Sequence, residues 1–204
     1  MSIRWSRRPD RVRMAIVVIG LLVGSVPASA QTLGVTGGLD LTTSVAKEAG
    51  ISSSPTAGVF GGAVIHLGVT GKLGVVVEVL ATQQRTKVEK VVTDSLTYVE
   101  LPALVRYLIG RGGGAGGTMA ATGGIVFRRL WRAQEAVGGT SFDVLDALEP
   151  NDLGVAAGID VRVAPRFVVS GRYVHGLRDV YKSVGDTAFG RHRTVQVGAT
   201  FWIK

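Results

Sequence analysis

From Leu33 to Ile203 the chain repeats one signal, an apolar residue at every second position with small, polar or charged residues between. A period of two marks strands with one apolar and one polar face. Leu33, Val35, Leu39 and Leu41 alternate with Gly34, Thr36, Gly38 and Asp40; near Thr56–Leu67, Val59, Ala63 and Ile65 share one parity and His66 takes the other. Leu73, Val75, Val77, Val79 and Ala81 oppose Glu78, Thr82 and Gln84, and Val99, Leu101, Ala103, Val105, Tyr107 and Ile109 oppose Tyr98, Glu100, Pro102 and Arg106. The second half continues in the same way. Met119, Ala121, Ile125 and Phe127 face away from Thr122, Gly124 and Arg128, and Leu153 through Val163 do so from Gly154, Gly158, Asp160 and Arg162. Phe167, Val169 and Tyr173 oppose Ser170 and Arg172; Val195, Val197, Ala199, Phe201 and Ile203 oppose Gln196, Gly198, Thr200 and Trp202. Eight strands are predicted.

The connections alternate in length. Short ones fall at Gly68–Lys72, Gly110–Gly117 and Ala164–Arg166, long ones at Thr43–Pro55, Lys87–Ser95, Leu130–Asn151 and Leu177–His192. Short periplasmic turns and long external loops are the habit of outer-membrane barrels. The expected fold is therefore all-β, an eight-stranded antiparallel up-and-down transmembrane β-barrel with both mature termini in the periplasm. A β-sandwich has no reason to sort its loops this way.

Alternation alone does not say which face points outward. A soluble, lipocalin-like periplasmic barrel holding an apolar ligand would keep its apolar face inside. Three features favour the inverse. The polar parity is small and glycine-rich, as suits an eight-stranded interior only wide enough for side chains to fill. All six lysines lie in connections or at the chain end, whereas the charges at polar strand positions are Asp40, Glu78, Glu100 and Asp160 against Arg106, Arg128, Arg162 and Arg172. Arginine's planar fork suits enclosed carboxylate pairs. Third, the aromatics of the apolar parity gather at strand ends, Tyr107, Phe167 and Phe201 toward the periplasm and Phe127 and Tyr173 toward the outside, as an aromatic girdle would. Matching strand direction with depth predicts the neighbouring-strand pairs Glu78 with Arg106, Glu100 with Arg128, and Asp160 with Arg172. Together the eight charged residues are expected to form a structural ion-pair network that plugs the lumen.

Residues 1–30 differ from the rest. Arg4, Arg7, Arg8, Arg11 and Arg13 precede the short apolar run Met14–Val23, then Pro27 and Ala28-Ser29-Ala30. This is the order of a secretory signal peptide cleaved after Ala30, leaving residues 31–204 as one barrel domain in the outer membrane. Ten apolar residues are too few to span about 30 Å of hydrocarbon. The segment also carries half of the excess charge. The whole chain is +8, with 23 basic and 15 acidic residues, and removing five basic and one acidic leaves 18 against 14, or +4. The remaining charges are dispersed rather than set in a basic stripe with aromatics, which argues against nucleic-acid binding. Cysteine is absent, so no disulfide or cysteine-ligated metal holds the fold together.

At Tyr98-Val99-Glu100-Leu101-Pro102-Ala103-Leu104-Val105-Arg106-Tyr107 the chain resembles the fourth strand of the PorT-like outer-membrane β-barrel domain family. Gly154–Val163 and Ser170-Gly171-Arg172-Tyr173 followed by Gly176-Leu177 resemble it too. The resemblance spans Leu33 to Ile203. It implies the OmpA/OmpX structural class, a monomer in outer-membrane lipid inserted by the barrel-assembly machinery of a Gram-negative envelope. It implies a location and a fold rather than a chemistry. Such barrels usually end on an aromatic residue; here the end reads Phe201-Trp202-Ile203-Lys204, which makes Phe201 and Trp202 a shifted insertion signal.

Candidate chemistry is sparse. His175, Asp179 and Ser183 share one connection, but nucleophilic catalysis needs converging geometry and His175 has lipid-facing parity. No His-Glu-x-x-His spacing occurs, and Arg111–Gly117 lacks the Gly-Lys-Ser/Thr of a phosphate loop. Asp143, Asp146, Glu149 and Asp152 lack the EF-hand spacing and read as a solvated acidic loop. No catalytic residue, cofactor or metal is therefore expected. The functional expectation is a plugged barrel with a structural, envelope-maintaining or surface-contact role through its external loops, a lipid-modifying enzyme being the alternative.

Overall fold

The computed structural model describes residues 31–45, 56–88, 92–111, 118–137, 140–143, 150–177 and 191–203. The expected signal peptide, the glycine-rich turn at 112–117, the acidic positions 146 and 149, and Asp179 and Ser183 lie outside the described residues. Nine strands run through them: β1 (Gln31–Val45), β2 (Thr56–Gly68), β3 (Leu73–Val88), β4 (Val92–Arg111), β5 (Thr118–Val137), β6 (Thr140–Asp143), β7 (Asn151–Ala164), β8 (Phe167–Gly176) and β9 (Arg191–Trp202). Each pairs antiparallel with its neighbours, and β9 returns to β1 over a register from Gly34 opposite Trp202 to Val45 opposite Arg191. That last pairing leaves the wall without an edge. Eight strands form it, and β6 pairs only with Gln134–Val137 at the end of β5.

The apolar parity points outward along every strand. Leu39 is 65% exposed, Val105 51% and Ile159 49%, while the intervening Leu80 and Leu104 are each 1% exposed. So continuous a greasy exterior is stable only against lipid, and an inward-facing apolar set, as in a soluble lipocalin-like barrel, is ruled out. The girdle residues Tyr107, Phe127, Phe167, Tyr173 and Phe201 are all exposed on this face. Phe167 and Phe201 meet edge-on at 5.5 Å across β8 and β9. Tyr173, opposite Ala157 and Val195, stands three residues short of the outer end of β8.

Two of the expected long connections prove shorter. Lys87–Ser95 is the tip of a hairpin in which Arg85, Thr86, Lys87 and Val88 pair with Ser95, Asp94, Thr93 and Val92. Part of Leu130–Asn151 continues β5 and turns back as β6. Polar composition suggested loops there, but a hairpin already paired at the membrane can continue its ladder into water, because backbone pairing is indifferent to whether the flanking side chains are polar. β4 and β5 are each 20 residues long, about twice what a tilted strand needs to cross a bilayer. A bulge between Thr97 and Tyr98 marks a change of register along this pair.

The interior is layered rather than uniformly polar. Val64, Val76, Leu104, Val126, Ala156 and Val174 form one buried apolar cluster, with Trp202 packed against it at the inner, periplasmic end. Tyr98, Leu130 and Ala133, joined by Leu96, form a second toward the outer end. Between glycines the wall makes room for an inward aromatic ring: Phe60 lies over Gly38 and Gly198, where an added Cβ would stand 2.8 and 2.7 Å from its Cζ atom.

Candidate functional site

The chemistry of this molecule is concentrated inside the barrel. Neighbouring strands bring Glu100 of β4 opposite Arg128 of β5, and the guanidinium Nε stands 3.1 Å from carboxylate Oε1 with both side chains almost wholly buried. The other oxygen of Glu100 accepts a hydrogen bond from Gln196 Nε2 at 3.2 Å. Gln196 lies on β9, four strands away in either direction around the wall, so this contact crosses the full width of the lumen. Arg128 also donates through Nη1 to Thr194 Oγ1 at 3.4 Å. Thr194 and Thr42 share a hydrogen bond of 3.0 Å. Gln84 donates from Nε2 to both Thr42 Oγ1 and Asp40 Oδ2, at 2.9 and 2.8 Å. Seven side chains from five strands are thereby connected.

A second cross-link is stronger. Arg172 on β8 donates from Nη1 and Nη2 to the two oxygens of Glu78 on β3, at 2.9 and 2.6 Å. These strands are also diametrically opposed. The fork-to-fork geometry is the favourable one for a guanidinium and a carboxylate. A third pair joins Arg106 Nε to Asp160 Oδ2 at 3.2 Å, from β4 to β7. Nearer the inner mouth, a cavity of about 30 Å³ lies among His66, Arg106, Asp160, Arg162 and Trp202. That is enough room for ordered water among polar partners. His66 meets Trp202 edge-on at 6.1 Å.

The expected partners are therefore only partly those observed. Glu100 meets Arg128, but Glu78 takes Arg172 and Asp160 takes Arg106, the reverse of the neighbouring-strand assignment. The reason is width. In a barrel of eight strands the opposite wall is within reach of a long side chain, so a partner need not come from the adjacent strand. Asp40 meets an amide, Gln84, rather than a guanidinium. Arg162 lines the inner cavity beside Arg106 and Asp160 but takes part in none of the three ion pairs. It is exposed at the inner rim, where the ladder slips between Arg162 and Ala164.

Several participants escaped the sequence reading. Thr42, Gln84, Thr194 and Gln196 carry no charge to draw attention, yet their inward parity was visible. Asp152, read as part of a solvated loop, stands in register with Arg128 and is half-buried. Phe60 and Trp202 are inward aromatics, so of the two expected terminal signal residues only Phe201 faces lipid.

His66 and His175 do not converge. His66 is at the inner mouth, while His175 is on the wall near the outer end of β8, its Nδ1 within 3.5 Å of the Tyr173 hydroxyl. Among the described residues no three His, Asp or Glu side chains are grouped as metal ligands.

A closed antiparallel wall, apolar without and cross-linked within, defines an outer-membrane β-barrel protein. Residues 29–182 match the outer membrane protein beta-barrel domain family, and the chain belongs to it. Among solved structures it is similar to Ail, the attachment invasion locus protein of Yersinia pestis, at 14% identity over 84% of this chain and 98% of that one, with a TM-score of 0.52. It is similar also to Neisserial surface protein A, at 13% identity over 83% and 96% of the two chains, with a TM-score of 0.53. At such identities the likeness is one of fold. No curated protein matches the chain.

Proposed function

We propose that this protein is a closed, non-conducting barrel that serves the outer membrane as a structural and surface-contact element, acting through its external hairpins rather than through its lumen. The observation that carries this reading is the bidentate bridge from Arg172 to Glu78 across the whole diameter. Apolar clusters lie on either side of the polar layer. Diffusion channels are built from about 16 strands, which leave an aqueous passage that eight do not. The 20-residue strands β4 and β5 place a stiff ribbon outside the bilayer, where a contact role would operate.

Several narrower readings accompany it. The Glu100-Leu101-Pro102 segment with Arg106 and Tyr107 supports a PorT-like affiliation within the barrel family. The order of residues 1–30 supports export with cleavage after Ala30 and insertion by the barrel-assembly machinery. The closed wall supports a monomer. A role other than lipid-modifying catalysis is favoured by the separation of His66 and His175, which lie toward opposite ends of the barrel.

Planar-bilayer recording of the folded full-length protein tests the proposal. The expected trace shows no large stable conductance. A steady, long-lived open level in the wild-type protein would overturn the plugged-lumen reading.

A further inference from the structure

The outer wall is apolar, yet near its outer end it carries a small set of ionisable side chains. Among the described residues whose side chains point outward these are Arg129 and Arg132 on β5, His175 on β8 and Arg193 on β9; Arg129 and His175 each stand between two buried inward neighbours, and Arg193 is followed by the buried Thr194. Three are arginines and the fourth is a histidine, and among the described residues no carboxylate stands with them on that face. His175 and Arg193 are directly opposite one another in the β8–β9 ladder, which places their Cβ atoms about 4.5–5.5 Å apart. Cationic side chains on a lipid face destabilise a barrel unless they sit near the interface. Tyr173 completes the group. Its hydroxyl lies 3.5 Å from His175 Nδ1, which holds the imidazole beside the ring of Tyr173 on the lipid-facing side of the wall.

We propose that His175, Arg193 and Tyr173 form a docking site for the phosphate of a phosphorylated lipid in the outer leaflet. Two features select that partner over a dissolved anion. The site opens sideways onto a wall whose neighbours Val155, Val195, Val197 and Leu177 are exposed and apolar, so a ligand must present hydrocarbon as well as charge. It lies at the end of the wall where lipid headgroups are found. Its donors, a guanidinium fork with an imidazole N–H beside it, match a tetrahedral oxyanion. Arg129 and Arg132, beside the 70%-exposed Trp131, repeat the basic and aromatic pairing on β5.

The test is native mass spectrometry of the folded full-length protein in detergent, titrated with diphosphoryl lipid A, with dephosphorylated lipid A and inorganic phosphate as separate arms. Wild-type protein is expected to retain diphosphoryl lipid A and neither of the others. The double variant His175→Ala/Arg193→Ala is expected to bind at least about tenfold more weakly, since each charge-assisted hydrogen bond is worth roughly that factor or more. Arg166→Ala, in the inner turn, should bind like wild type. Heat-dependent gel mobility confirms that each variant is a closed barrel; if the double variant fails that check, the single variant Arg193→Gln carries the test. Unchanged binding by the folded variants, equal retention of dephosphorylated lipid A, or equal binding of inorganic phosphate would each overturn the proposal.

Discussion

The two faces of this wall are made by the same strands and obey different rules. On the outer face, side chains meet lipid, which is fluid and accepts any apolar shape, so Val, Leu, Ile and aromatic residues follow one another with few specific partners. On the inner face, volume is fixed and there is no bulk solvent, so each polar atom needs a partner at a defined distance. Glu100, wholly buried, has contacts to both oxygens from two different strands. Val197, displaced by one residue from Gln196, is 55% exposed and needs none. A step of a single residue therefore moves a position from a tolerant environment into an exacting one.

Substitutions that violate each rule should differ in size accordingly, and chemical unfolding of the protein in lipid vesicles would rank them. The largest loss is expected for Arg172→Leu, which leaves Glu78 charged, enclosed and without its bidentate partner, at a cost of about 3–5 kcal/mol. Replacing both members, as Glu78→Leu/Arg172→Leu, should restore most of that stability, because a packed apolar pair avoids the desolvation penalty of burying two charges. If the double variant were no better than the single one, the bridge would not be the reason for the loss. Ile125→Arg, a charge placed midway up the lipid face, should cost about 2–4 kcal/mol. A neutral result would mean that this position is not against hydrocarbon. Gln84→Ala removes the donor to Asp40 Oδ2, and the loss expected for an unsatisfied buried acceptor is about 1–3 kcal/mol. Val197→Leu on the outer face should stay within about 0.5 kcal/mol of wild type; a larger change would reveal a specific contact where lipid alone is expected.

Strand parity could be read from the chain because each strand is bounded by lipid on one side and a packed lumen on the other, so a single period governs its whole length. Val105 and Arg106 illustrate this: their alternation alone assigns them to opposite faces. Pairing across the lumen could not be read. Arg172 has Asp160 two places along the neighbouring strand's register, which made that carboxylate the natural guess, and only the curvature of the closed sheet brings Glu78 nearer. The hairpin tip at Lys87–Ser95 was obscured for another reason. Its residues resemble a loop in composition, and their ladder exists because β3 and β4 are already held together below it.

Residue order alone settled that the chain makes strands, how many of them form the wall, and which side of each meets lipid, since those properties depend on neighbours one and two positions away. The choice of partner for each guanidinium, the layering of valine and leucine between polar levels, and the meeting of His175 with Arg193 belong to the closed barrel. They depend on register and diameter, quantities that come into being only when β9 returns to β1.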